Sequence, residues 1–146
     1  MRAFLVMLGL VAAVAPAWGQ ATPPRIRIVV HRFTTTPNDS SHRVLADDLG
    51  RLLVRALVAD PAFQVMTGTR GPAGRGTDAQ YAVIGSLVDL AGAGRVDIRV
   101  VDIAKVELVL KASVPIGGAP IALSVTAGVQ RLAEQIHARL VVGGAP

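Results

Sequence analysis

Three histidines, His31, His42 and His137, are the residues of this chain best able to bind a metal or pass a proton. They fall on separate predicted elements, no two of them at ligand spacing, and there is no cysteine to complete a set, so no metal site is expected. Asp47-Asp48 has the look of an acid-base pair. It lies on a predicted helix face beside Arg43, Arg51 and Arg55, where surface ion pairing is the expected role. The stretch Gly68 to Gly76 exposes backbone amides as phosphate loops do. It lacks the Gly-Lys-Ser/Thr ending and leads into a strand rather than a helix, so it reads as a connector. Ser40, Ser41, Ser86, Ser113 and Ser124 have no nucleophile-elbow context. With no constellation suited to acid-base, nucleophilic or metal chemistry, we expect no enzyme and no cofactor.

The chemistry that remains is that of a backbone edge. Arg25, Ile26, Arg27, Ile28, His31 and Arg32 form the expected protein-binding segment, in which main-chain groups pair with a partner strand and the polar side chains select it. The same charges also suit the plainer task of protecting an edge from unwanted pairing.

The elements that must position this segment can be read from the hydrophobic pattern. Met1-Arg2 followed by the uncharged run Ala3 to Ala15 is a signal-peptide core, too short to span a membrane. Cleavage is expected before Gln20, with cleavage after Ala21 as second choice. Residues 1–19 are then the leader, and 20–146 one domain of ordinary size in the periplasm. Without cysteine, export brings neither disulfides nor a lipid anchor. The net charge is +5, but aromatics are 3% of the chain and the arginines form no dense run, which argues against nucleic acid as a partner. No segment after the leader is apolar enough to cross a membrane.

Arg25 to Phe33 alternates with Ile26, Ile28 and Val30 on one face, which predicts a first strand. Thr34 to Ser41 reads as turn, and a helix is expected from about His42, with Leu45, Leu49, Leu52, Leu53, Ala56 and Leu57 in one apolar stripe. Asp60-Pro61 ends it, and Ala62 to Met66 predicts a second strand. Thr67 to Asp78, rich in glycine, predicts a flexible loop. Tyr81 to Leu90 and Arg95 to Ile103 predict a hairpin turning through Ala91 to Gly94, and Leu108 to Val114 a further strand that Pro115 places near an edge. Val125, Val129, Leu132, Ile136 and Leu140 mark a last helix ended by Gly143-Gly144. The expected fold is α+β: a mixed sheet of about five strands in the order β-α-β-β-β-α, with two helices on one face.

In that order, Ala79 to Asp89, Val96 to Asp102 and the helix Val129 to Leu140 resemble the N-terminal domain of the TolB family of the periplasmic Tol-Pal system. Ile26 to Phe33 and Val44 to Leu53 look like that domain's first strand and helix. The resemblance implies a non-enzymatic adaptor whose partner is an envelope protein, Tol-Pal related. In the family a propeller that contacts Pal follows this domain and a TolA-engaging segment precedes it. The resemblance covers most of residues 25–140 and the domain alone, so neither partner is carried over. The order is also similar to the LpoB, CsgG and FlgO group, which implies a self-associating assembly or secretion component as the alternative. Those proteins are anchored through a cysteine that this chain lacks.

Overall fold

The computed structural model describes residues 24–36, 39–68, 78–90, 93–117 and 121–143. The leader assigned to residues 1–19 and most of the loop assigned to 67–78 lie outside them. The elements are β1 (Ile26–His31), β2 (Thr34–Thr36), α1 (Ser40–Val58), β3 (Phe63–Gly68), β4 (Tyr81–Leu90), β5 (Ala93–Asp102), β6 (Glu107–Ile116) and α2 (Ile121–His137). A π-helical turn, Ala138–Val142, extends α2 to Gly143.

The sheet runs β3-β1-β4-β5-β6, with β2 also on β4. β1 is parallel to β3 and to β4, while β4, β5 and β6 form an antiparallel meander. The expected mixed sheet with two helices is thus present, with six strands rather than about five.

The extra strand corrects the reading of Thr34 to Ser41 as turn. β1 pairs with Tyr81 to Val83 and β2 with Ser86 to Val88, so the two are halves of one path along β4. Arg32-Phe33 interrupts it. The ring of buried Phe33 sits over Gly85 of β4, where a side chain would otherwise stand. α1 likewise starts before the expected His42: Asp39 has extended backbone and accepts from the His42 amide at 2.9 Å, which satisfies one of the first free donors and makes Ser40 the first helical residue.

Alternation decides the faces. Ile28, Val30, Val83, Leu87, Val96, Ile98, Val100, Val114 and Ile116 point to one side, where they form a single core with Leu49, Leu53 and Leu57 of α1 and with Val129, Leu132 and Ile136 of α2. Val29, Ala79 and Ala82 form a smaller cluster with Met66 and Ile103. β3 continues through Thr67 and Gly68, two residues beyond its expected end, because the parallel pairing with β1 holds as far as His31. β5 starts at Ala93, two residues before its expected start at Arg95, and the rest of the expected turn at Ala91 to Gly94, residues 91–92, lies outside the described residues. β6 runs on past Pro115 to Ile116, which an outermost strand tolerates.

β5 and β6 join through a strained turn. The Asp102 carboxylate accepts from the amides of Ala104 and Lys105, both at 3.0 Å, and Val106 is driven to φ 55°. A β-branched side chain in this left-handed region costs about 1–2 kcal/mol, and glycine returns about 0.5–1 of that through its looser unfolded state. Val106 is 79% exposed and has little packing to lose. Val106→Gly is therefore expected to raise stability by about 0.5–1 kcal/mol, read from the urea midpoint at unchanged slope.

Candidate functional site

The residues expected to bind a partner through a strand edge do not lie at one. β3 takes one flank of β1 and β4 the other, so strand addition on β1 is closed off. The cause is topological. The β1-α1-β3 crossover returns the chain beside β1 on one side, and the later meander starts on the other. Of the six residues, Arg25, Arg27 and Arg32 are exposed, Ile26 is half-buried, and Ile28 and His31 are buried. Gln80 also holds the start of β1, accepting from the Arg27 amide through Oε1 at 3.0 Å and donating its own amide to the Arg27 carbonyl at 2.8 Å. The outer strands of the sheet's main path are β3 and β6, and β2 is paired on one side only, by β4.

Where β1 ends, His31 and Arg32 line a cleft of about 510 Å³. It opens at the carboxyl ends of β1 and β3, beneath the middle of α1. Val30, Phe33, Ala46 and Val54 give it apolar walls, and Arg32, Arg51 and Arg55 a cationic rim. Gly50 lies on the α1 side of it, where a β-carbon would stand 3.7 Å from the Phe33 ring, an ordinary contact distance.

The rim charges are unequally occupied. Arg32 grips Asp47 with two hydrogen bonds, Nε at 2.8 Å and a terminal nitrogen at 2.6 Å, and this holds the Asp47 carboxyl below the usual carboxylate range. Arg51 meets Asp48 at 3.2 Å, an exposed pair of little energetic weight. Arg55 makes no ion pair among the described residues. His31 is 8% exposed, and its Nδ1 has no hydrogen-bond partner. The sequence reading missed this cleft, having assigned Arg51 and Arg55 to a solvated helix face. The available signal was Gly50 inside the helical pattern, next to arginines one turn apart.

The other histidines act as ties. His42 bridges two carboxylates, Nδ1 to Asp39 at 2.7 Å and Nε2 to Asp89 at 3.0 Å, and so fastens the start of α1 to the end of β4. His137 pairs through Nδ1 with Asp60 and meets the Phe63 ring edge-on, joining the end of α2 to the turn after α1. Hydrogen bonding to Asp89, then to Asp39, raises the His42 pKa above its ordinary 6.5. A raised folded value means that the contribution of His42 is complete below about pH 6.5 and is lost as pH rises through the folded value. The melting temperature gap between wild type and His42→Ala should therefore be wider at about pH 6 than at about pH 9. Equal gaps would show that His42 acts by packing alone.

Among the described residues no group of three or more His, Asp or Glu is placed to hold a metal, and no helix is long and apolar enough to cross a membrane. No family model and no curated protein matches the sequence. Solved structures do match. PelC from Paraburkholderia phytofirmans, solved as a dodecamer, aligns over 74% of this chain and 86% of its own, with 13% identity and a TM-score of 0.60. TolB from Acinetobacter baumannii aligns over 85% of this chain but 30% of its own, with 14% identity and a TM-score of 0.61. A DUF330 protein from Xanthomonas campestris aligns over 89% of this chain and 90% of its own, with 9% identity and a TM-score of 0.53. At such identities what is shared is the fold, an open mixed sheet with two helices that also occurs in the N-terminal domain of TolB.

Proposed function

We propose that this chain is a non-enzymatic, protein-binding module of the bacterial envelope, an adaptor like the TolB N-terminal domain that works in the periplasm after loss of its leader. The open edge of β6 carries this reading. Glu107–Ile116 pairs only with β5 among the described strands and offers a run of unpaired main-chain groups to an incoming strand. Leu108, 51% exposed, supplies an apolar contact and Lys111 a charge on the same strand. Arg139 covers one point of it, donating from Nε to the Val109 carbonyl at 3.0 Å where a bulge leaves Val109 unmatched. The exposed Arg25 and Arg27 are secondary contacts in this reading, with Ile26, Ile28, His31 and Arg32 as their support. A Tol-Pal component is the first partner to test.

Crosslinking and capture from periplasmic and membrane extracts, using residues 20–146 with a C-terminal tag, should enrich an envelope protein. The Leu108→Glu/Lys111→Glu variant should lose it at least about tenfold, as charge opposes docking on the edge. A monomer that enriches nothing would count against the reading.

The second reading is self-association, and the position of the open edges favours it. β3 and β6 lie at opposite ends of one sheet, an arrangement suited to head-to-tail contacts that close into a ring. PelC, a neighbour matched over 86% of its own length, is a dodecamer. Light scattering across concentration separates the two, because self-assembly raises the mass with no partner present.

A further inference from the structure

The geometry points to the cleft between α1 and the carboxyl ends of β1 and β3 as a docking site for an acidic peptide segment that also carries an apolar side chain. This rests on the protein-binding reading above and deepens it. The volume, about 510 Å³, suits a few side chains rather than a single ion. Val30, Phe33 and Val54 provide an apolar wall for one of them. Charge complementarity supplies the rest. Three arginines reach the rim against one carboxylate, and that carboxylate, Asp47, is already satisfied by Arg32. Arg55 has no ionic partner among the described residues, and the Asp48 bonded to Arg51 is 54% exposed and easily exchanged. A carboxylate entering between Arg51 and Arg55, which stand one helical turn apart, would meet two donors of the kind that make charge-assisted bonds.

His31 takes no part in this contact: its ring stands beside Val29, on the face of the sheet away from α1, and charge complementarity with the apolar wall carries the proposal. The occupant is thus acidic and partly apolar, and the partner's contribution is a short segment rather than a broad face.

The test uses a fluorescein-labelled peptide of alternating leucine and glutamate, followed by anisotropy with residues 20–146. Binding is expected, weakened by salt, and about tenfold weaker for each of Arg51→Ala and Arg55→Ala, the size of one charge-assisted hydrogen bond. Both arginines are exposed, so the variants should keep the wild-type circular dichroism and melting temperature. A leucine–glutamine peptide and a serine–glutamate peptide should each bind at least about tenfold more weakly. The inference is overturned if the double arginine variant binds like wild type, if the leucine–glutamine peptide binds equally, or if decanoate or inorganic phosphate competes as well as the peptide. Capture from extracts keeps the two readings apart. An envelope protein still captured through β6 while the peptide fails to bind removes the cleft proposal and leaves the adaptor reading standing. Peptide binding that depends on Arg51 and Arg55, with nothing captured from extracts, removes the β6 contact instead.

Discussion

Gly85→Ala is expected to destabilise the domain by about 2–3 kcal/mol, because the added methyl group has nowhere to go. A β-carbon at position 85 would stand 2.3 Å from Cε1 and Cζ of Phe33 and 2.4 Å from Cδ1, well inside contact distance. The opposing effect is small, since alanine in place of a strand glycine recovers about 0.4–1 kcal/mol from the unfolded chain. The clash therefore wins. Phe33 is 6% exposed and α1 also meets its ring at Gly50, so the ring has little room to retreat. Urea denaturation of Gly85→Ala, Phe33→Ala and the double variant tests the cause. Phe33→Ala alone should cost about 3–5 kcal/mol for lost burial and the void it leaves. The double variant should cost at least about 1 kcal/mol less than the sum, as removal of the ring makes room for the methyl group. Strict additivity would show that Gly85 is needed for backbone freedom instead.

This contact also marks where the sequence stopped being readable. The hairpin from Tyr81 to Asp102 was legible because alternation extends along both strands and a short turn leaves one way to pair them. The apolar stripes of both helices were legible for the same reason, each repeating over several turns. β2 was not. Three threonines before Pro37 are too few to show a period, and what makes them a strand is the exposed flank of β4 beyond the Phe33 interruption. The place of β1 was hidden too. Its pattern shows which side chains are buried, whereas its neighbours are fixed by pairing with residues far along the chain, and only that pairing shows both flanks to be filled. The cleft was hidden for a similar reason: Gly50, Arg51 and Arg55 of α1 come to line one space with Phe33 and Gly68 only when α1 crosses the ends of β1 and β3. A charge pattern alone could not separate Arg55, without an ionic partner in the described structure, from Arg32, which is clamped to Asp47.

Leu132→Ala should give the largest loss from α2, about 3–4 kcal/mol, while Leu123→Ala on the same helix should change stability by less than about 0.5. Leu132 is 0% exposed and Leu123 is 68% exposed, so only the first removal takes buried methyl groups from the core and leaves a void. The void is hard to close. α2 packs on β6 and against α1, and at Gly128 it approaches β6 until a β-carbon would stand 3.4 Å from Cγ2 of Val114. A helix already held so near the sheet has little room to settle further. For a domain of this size, with total stability of about 5–15 kcal/mol, the loss is a large fraction. It should appear as a lower urea midpoint at unchanged slope. Comparison with the Leu108→Glu/Lys111→Glu variant then separates folding from recognition. Leu132 lies inside the core, so Leu132→Ala should still capture a β6 partner well below its melting temperature, whereas the edge variant should melt like wild type and capture nothing. If Leu132→Ala loses capture while it remains folded, the contact lies on α2 rather than on the sheet edge.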